Sequence, residues 1–204
     1  MGLTENRMIP KGPVDASLSV LLIESLEGSP KAILVNAAAH PTLIDSKEMR
    51  FSADYPGALS QLVESTYPGV VCLFFNGAAG DLRPQDSLGQ NPDERIERFG
   101  QGLAEATTGL VNQLVLRRKA DLAVWGQSQR LPPFRGKLGP LPIPSVIGQL
   151  IRPTQTQMNL VAVDQFVFVP LSAEMTIALG SRLKRQLRQL QVQPILLGYA
   201  NGYL

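Results

Sequence analysis

Three side chains that often carry chemistry are scarce in this 204-residue chain, which has one histidine, one cysteine and one tryptophan. The lone cysteine, Cys72, excludes a disulfide framework within the chain, and its place in the apolar run VVCLFF is typical of a small core residue. The lone histidine, His40, excludes a metal site built from several histidines of this chain. Any histidine chemistry must therefore involve His40.

Long apolar runs and strong charge are also missing. No segment reaches the ~18 consecutive apolar residues of a membrane span, and the first residues have no apolar signal-peptide core. The net charge of +2 predicts no nucleic-acid partner. A hydrophobic fraction of 44% and a mean hydropathy of +0.04 indicate a globular chain with a core. The sequence leaves the cellular location unassigned.

Apolar runs alternate with helical patterns, which predicts an α/β fold with a mixed sheet flanked by helices. Strands are expected at residues 18–25, 31–39, 70–75, 121–130 (an edge strand) and, as two strands or one bent one, 156–169. The first two read as a hairpin buried on both faces, because neither run alternates cleanly.

Three helices are expected, and local capping signals mark the first two. The first begins with Asp54 as its N-cap. The second has Asn91 as N-cap and Pro92 as first residue, and it closes with the basic residues 117–119. The third covers residues 173–190, with Glu174 in its first turn.

A proline-rich segment, residues 131–155, is too proline-rich for regular structure and too apolar for a solvated linker. It either lines an apolar cleft or packs against a further domain, through its large apolar side chains Phe134, Leu138, Ile143, Val146 and Ile147.

Polar side chains follow the predicted strands where open α/β sheets collect their chemistry. His40 ends one strand and is held by the following Pro41. Asn76 and Asp81 lie in the glycine-rich turn NGAAGD, and Glu174 follows another apolar run. We hypothesise that His40 and Glu174 are two ligands of one metal ion. Each residue also has a purely structural alternative. His40 could hydrogen-bond to a backbone carbonyl, Glu174 could be favoured there by the helix dipole, and Asn76 and Asp81 could form only the hydrogen bonds of the turn.

The motifs NR…GPVD, HPT, S-x-D-Y-P-G, NGAAGDLRP, VP…E…G-x-R and GYANGY occur in this order. Together they resemble the N-terminal catalytic domain of the neutral/alkaline, non-lysosomal ceramidases and their bacterial relatives, over nearly the whole chain. Members of that family are zinc amidohydrolases that cleave the N-acyl bond of ceramide, and they are often secreted or membrane-associated. The resemblance implies that residues 1–204 are part of a larger zinc-hydrolase domain.

The family's zinc is held by two histidines, a glutamate and a tyrosine. The resemblance places two of these ligands on His40 and Glu174. It implies that the other histidine lies upstream of this chain and the tyrosine downstream, with Tyr203 belonging to the turn before it. Zinc is therefore the expected cofactor, with a site that this chain alone leaves incomplete.

One motif departs from the family. Ceramidases carry a serine tied to catalysis in Gly-Asp-Val-Ser-Pro, where this chain has Gly80-Asp81-Leu82-Arg83-Pro84. We predict Asp81 and Arg83 as catalytic candidates, and Asn76 and Gly77 as substrate-binding candidates. Arg83 could bind an acidic substrate group in bidentate fashion, or it could pair with Asp81 or Asp86 and stabilise the loop.

Three functions follow from these observations. The first is a zinc-dependent N-acyl amide hydrolase that acts on a small, lipid-like N-acyl substrate and needs upstream and downstream parts of its own domain. The second is a catalytically inactive ceramidase-like binding module. The third, a serine or cysteine hydrolase, is disfavoured because Cys72 lies within an apolar strand and His40 would be a base with no evident partner.

Overall fold

A computed structural model describes residues 4–133, 136–142, 147 and 153–202. Within the proline-rich segment, Phe134, Ile143 and Val146 lie outside these described residues, and so does Tyr203 near the end of the chain. Ile147 is half exposed. In the described ranges, no helix is both long enough and apolar enough to cross a membrane.

The described residues form eleven strands and three α-helices. The strands are β1 (Thr4–Asn6), β2 (Ser19–Glu24), β3 (Pro30–Ala37), β4 (Val71–Asn76), β5 (Leu82–Pro84), β6 (Leu122–Arg130), β7 (Lys137–Leu138), β8 (Leu141–Pro142), β9 (Gln155–Val163), β10 (Phe166–Pro170) and β11 (Gln193–Leu197). The helices are α1 (Asp54–Thr66), α2 (Pro92–Val111) and α3 (Ile177–Arg188). Short 3-10 turns occur at Ser46–Glu48 and Asp86–Leu88.

The first sheet has the strand order β2-β3-β4 and carries the main core. β2 and β3 form the predicted antiparallel hairpin, and β4 adds in parallel to β3. The core on one face includes fully buried residues of β3 and α1 together with residues of α2, among them Ile33, Val35, Tyr55, Leu59, Val63, Phe99 and Leu103. The predicted burial of the hairpin on both faces holds only in part. The helices cover one face, and on the other face Asn36 is buried at the second sheet, whereas Ile23 of β2 is 46% exposed.

The second sheet has the order β11-β10-β9-β6, with β10 and β11 parallel and the other pairs antiparallel. β6 is the predicted edge strand, and the apolar run 156–169 divides into two strands. Two mixed sheets flanked by helices confirm the predicted α/β class. The sheets meet at Asn36, whose side-chain amide donates hydrogen bonds to the carbonyl oxygens of Phe75 and Leu196, each at 2.9 Å.

Two helix boundaries differ from those expected. α2 ends at Val111, so the basic residues 117–119 lie outside it. The Thr107-Thr108-Gly109 run consists of weak helix formers and precedes this end. α3 begins at Ile177 rather than at residue 173, because Thr176 at the N-cap position is extended, with a ψ of 158°, and the Ile177 N–H donates to the Asp81 carboxylate.

The N-terminus of α1 is also built differently from the prediction. Ala53 occupies the N-cap position, and Asp54 is the first helical residue with a left-handed φ of 52°. The buried Asp54 carboxylate accepts the backbone N–H groups of Leu43, at 2.8 Å, and Tyr55, at 2.7 Å. Asp54 therefore fixes the loop that follows His40 onto the start of α1.

Candidate functional site

His40 lies just after β3 on the rigid first sheet. Its backbone N–H donates to the carbonyl of Leu82 at 3.0 Å, and its side chain is 11% exposed. The hydroxyl of Tyr55 donates to the carbonyl of Ala39 at 2.6 Å and so fixes the preceding residue. The imidazole is therefore held by the strand end and by the packed helix α1.

The structure brings the two predicted metal ligands together. His40 Nε2 lies 3.4 Å from Glu174 Oε2, although 134 positions separate the two residues in the sequence. Glu174 is in the loop between β10 and α3 rather than in the first turn of the helix. Its carboxylate is about one-third exposed, so it is the solvent-facing member of the pair.

Tyr199 is a third member of the site, which the sequence analysis did not identify. Its hydroxyl lies 3.2 Å from Nδ1 and 3.4 Å from Nε2 of His40. Tyr199 follows β11 with a left-handed φ of 58°, a strained conformation for a residue other than glycine. Its signal in the sequence is a Gly-Tyr turn directly after an apolar strand, the same position that singled out His40.

The imidazole of His40 is held in its neutral form. Burial lowers the pKa of His40, and the positive charge of Arg7 lowers it further. The carboxylate of Glu174 acts in the opposite direction without reversing the shift. A neutral imidazole has a free lone pair, which is the form that binds a metal ion.

Residues 76–81, from the last residue of β4 to Asp81, connect the segments that carry the three side chains. Gly80 N–H donates to the carbonyl of Met175 at 2.9 Å, next to Glu174. Gly198 N–H donates to the carbonyl of Asn76 at 2.8 Å, next to Tyr199. A Cβ on Gly80 would lie 3.1 Å from the carbonyl oxygen of Glu174, so a larger residue would push the Glu174–Met175 backbone away by a few tenths of an ångström.

Asp81, a predicted catalytic residue, lies buried at the end of this loop. Its Oδ1 accepts the backbone N–H of Ile177 at 2.7 Å, and its Oδ2 accepts the side-chain amide of Asn6 at 3.1 Å. Each carboxylate oxygen thus has a donor from a different part of the chain.

The remaining predicted site residues have the following surroundings. Asn76 Oδ1 accepts the N–H of Ala39 at 3.3 Å, and its buried Nδ2 has no hydrogen-bond partner in the part of the chain that the structure describes. Gly77 is buried and donates its N–H to the carbonyl of Ala37 at 2.8 Å. Arg83 pairs with Glu5 of β1 through Nε at 2.8 Å and Nη2 at 2.7 Å, a partner that the sequence analysis did not name.

The spacing of His40 Nε2 and Glu174 Oε2 suits two ligands of one tetrahedral zinc ion. Two ligands of such an ion lie about 3.3 Å apart when each metal bond is ~2.0–2.1 Å, and these two atoms are 3.4 Å apart. The Tyr199 hydroxyl is nearer to Nδ1 (3.2 Å) than to Nε2 (3.4 Å), so it lies beside the ring and away from the Nε2 lone pair that a metal would use. Among the described residues no three His, Cys, Asp or Glu side chains form a metal-binding group, so the fit rests on one imidazole and one carboxylate.

Cys72 lies on β4, where it belongs to the core packed against α1. Burial raises the pKa of its thiol, which disfavours the nucleophilic thiolate. The geometry thus gives no support to a cysteine hydrolase.

No protein-family model matches this sequence, and no curated protein matches it. Solved structures share its fold, among them two of ceramidases. The neutral ceramidase from Pseudomonas aeruginosa superimposes with a TM-score of 0.79 and 16% identity, over 100% of this chain and 44% of that chain. A ceramidase complexed with C2 gives a TM-score of 0.79 and 15% identity, over 98% and 45% respectively.

These comparisons establish a ceramidase-like fold for the described chain. The chain spans less than half the length of either ceramidase structure. The fold agrees with the family to which the motifs point.

Proposed function

We propose that this chain is part of a zinc-dependent N-acyl amide hydrolase of the ceramidase type. The observation that carries the proposal is the 3.4 Å contact between His40 Nε2 and Glu174 Oε2 in a ceramidase-like fold. An imidazole and a carboxylate are two of the ligand types that catalytic zinc sites use.

Each residue of the site has a role in this proposal. His40 and Glu174 hold the zinc ion, and the hydroxyl of Tyr199 contacts the imidazole from the side. A bound zinc ion would supply a water molecule with a pKa near ~7 and polarise the amide carbonyl. Asn76 holds an amide donor beside the His40 strand, and we propose it as a substrate-binding group together with Gly77.

The proposed substrate is a small N-acyl compound with a lipid-like chain. A cleft of about 470 Å³ begins at Pro41, the residue after His40. Ile44, Met49 and Phe51 contribute apolar surface to it, and Met49 and Phe51 are almost completely exposed. One of the two ceramidase structures is described as a complex with C2. Asp45, Arg50, Ser52 and Asp54 form the rest of the lining, so an acyl chain is the type of group that the apolar part of this cleft can accept.

The lone histidine makes zinc binding simple to test. Zinc added to the chain should shift the single set of imidazole NMR signals, and Glu174→Gln should weaken that binding at least tenfold. We expect weak binding that dialysis against a chelator removes, because one histidine and one glutamate make an incomplete site. Zinc that stays bound in stoichiometric amount after this dialysis would contradict the proposed incompleteness.

The second measurement decides between an enzyme and an inactive module. The longer polypeptide that the proposal implies should hydrolyse members of an N-acyl substrate panel, and it should lose this activity in His40→Ala. An intact protein that binds zinc and hydrolyses none of these substrates would favour the inactive ceramidase-like module, in which the serine of the family is replaced by Arg83.

A further inference from the structure

The Asp81 carboxylate occupies the junction between three parts of the chain. One oxygen accepts the N–H of Ile177, the first residue of α3, and the other accepts the amide of Asn6 from β1. Its backbone carbonyl accepts the N–H of Arg7 at 2.9 Å. Asp81 is only 7% exposed, so this arrangement lies inside the protein.

The residues beside Asp81 contact both segments that carry the proposed metal ligands. The carbonyl of Leu82 accepts the backbone N–H of His40. On the other side of Asp81, Gly80 donates to the carbonyl of Met175, which immediately follows Glu174. Leu82 and Ile177 also pack together with Ala38 in one small buried cluster. The distance between His40 and Glu174 is therefore set across Asp81.

We infer that Asp81 is a positioning residue that fixes the Glu174 segment against the His40 strand end. Both carboxylate oxygens are used in hydrogen bonds to the protein, and the residue is buried. Asp81 thus acts on the reaction through Glu174 rather than by touching the substrate. The inference rests on the proposed function for its consequence in metal binding, but the positioning itself can be measured without a metal.

Asp81→Asn tests this inference directly, because the orientation of the Asn6 side-chain amide is fixed. Asn6 Oδ1 already accepts the N–H groups of Met8 and Ile9, so its amide nitrogen must face residue 81. An asparagine at position 81 can satisfy either Ile177 or Asn6 with its oxygen, but its NH2 group then faces the other donor. One of the two connections is therefore lost while the side-chain volume is kept.

The matched control is Asn91→Ala. Asn91 caps α2 by accepting the N–H of Glu94 at 3.0 Å, and it lies on the exposed surface. Each substitution removes a side-chain hydrogen bond near a helix start, but only the hydrogen bonds of Asp81 reach the site. A difference between the two variants at His40 and Glu174 therefore reports on positioning rather than on general stability.

Two NMR measurements on the unliganded chain test the inference. In Asp81→Asn, the nuclear Overhauser contact between the His40 ring and the Glu174 side chain should weaken at least twofold. Either the Ile177 amide or the Asn6 side-chain amide, whichever loses its acceptor, should exchange at least tenfold faster. Asn91→Ala should change neither. An unchanged His40–Glu174 contact in a folded Asp81→Asn protein would overturn the inference.

A second pair of variants covers the case in which Asp81→Asn does not fold. Ile177→Pro removes the N–H that Asp81 accepts, at a first-turn position where proline fits and after Thr176, whose ψ of 158° suits a residue before proline. Ile177→Val shortens the same buried side chain and keeps the N–H. The His40–Glu174 contact should weaken in Ile177→Pro and persist in Ile177→Val; equal contacts in both variants would contradict the inference.

Zinc affinity separates this inference from the proposed function. If the chain binds zinc, Asp81→Asn should bind it at least tenfold more weakly, whereas Asn91→Ala should stay within twofold. An Asp81→Asn protein that binds zinc as tightly as the original chain would count against the inference. If the original chain shows no zinc binding, the zinc proposal fails, and the NMR comparison still decides the role of Asp81.

Discussion

The two sheets of this protein bury their side chains to very different extents. In the half formed by β2–β4, α1 and α2, the residues Tyr55, Leu59 and Val63 of one helix are completely buried. In the half formed by β6, β9–β11 and α3, all nine residues of β6 are exposed, and Leu122 is 74% accessible. One half therefore has a dense core, and the other presents an uncovered edge strand.

The candidate site combines groups from both halves. His40 comes from a strand end of the densely packed half, whereas Glu174 and Tyr199 come from loops of the other half. The position of His40 depends on core packing. The positions of Glu174 and Tyr199 depend on the hydrogen bonds that residues 76–81 make to Met175 and Gly198. Substitutions in the core, in the ion pair between α3 and the segment before β2, and at the site rim should therefore change the free energy of unfolding by different amounts.

The largest effect is expected from the core of the first half. Leu59→Ala should reduce the free energy of unfolding by about 2–5 kcal/mol, because it removes a completely buried side chain and leaves a cavity. Leu122→Ala, the same chemical change on the exposed β6, should alter it by about 0.5 kcal/mol or less. Denaturant titration of both variants measures the difference. Equal losses would show that β6 is covered in solution.

An ion pair between α3 and the segment before β2 should have an intermediate effect on stability. Lys184 of α3 lies 2.6 Å from Asp15, in the segment before β2, and both side chains are nearly buried. Lys184→Met should reduce the free energy of unfolding at neutral pH by about 1–3 kcal/mol, because it leaves the carboxylate without its charged donor. Lys184→Arg keeps the charge and should restore part of the loss.

The pH dependence of that loss follows from the pKa of Asp15. Burial alone would raise this pKa, but hydrogen bonds from Lys184 and Ser17 and the charge of Lys184 lower it below 3.8. A carboxyl group with a lower pKa in the folded state contributes stability at pH values above its unfolded-state pKa. This contribution is lost as the pH falls through its folded-state pKa. The difference between the original chain and Lys184→Met should therefore shrink below about pH 4. A difference that is constant from pH 7 to pH 3 would contradict the assignment.

The features that the sequence predicted well are those with local causes. The start of α2 follows from Asn91 and Pro92, and the β2–β3 hairpin follows from two apolar runs around a turn with Gly28 at a positive φ. Both signals act between residues close in the sequence. Propensity and capping rules describe such interactions directly.

The features that the sequence did not predict depend on distant partners. The start of α3 is fixed by a hydrogen bond between Ile177 and Asp81, which are 96 positions apart. Tyr199 meets His40 across 159 positions, and Arg83 meets Glu5 across 78. No local pattern encodes these pairs. His40 and Glu174 were singled out because each follows an apolar run and because both match a family motif.

The smallest effect is expected from Arg83, at the rim of the site. Its guanidinium and the carboxylate of Glu5 are each about 40% exposed, and such surface ion pairs contribute about 0.2–1 kcal/mol to stability. Arg83→Ser should therefore lower the free energy of unfolding by no more than this amount, and Glu5→Gln should do the same.

The catalytic hypothesis for Arg83 makes a further, separate prediction. If Arg83 only joins β5 to β1 through Glu5, Arg83→Ser in the longer polypeptide should leave the ratio of turnover of acidic to neutral N-acyl substrates unchanged. If Arg83 binds an acidic substrate group, the ratio should fall about tenfold, since a charge-assisted hydrogen-bonded pair contributes ~1.5–3 kcal/mol. We expect the first result because Glu5 already accepts from both Nε and Nη2 of Arg83. Glu5→Gln is the control: it weakens the pair without removing the guanidinium, so a fall in the ratio for Arg83→Ser alone would assign Arg83 to the substrate.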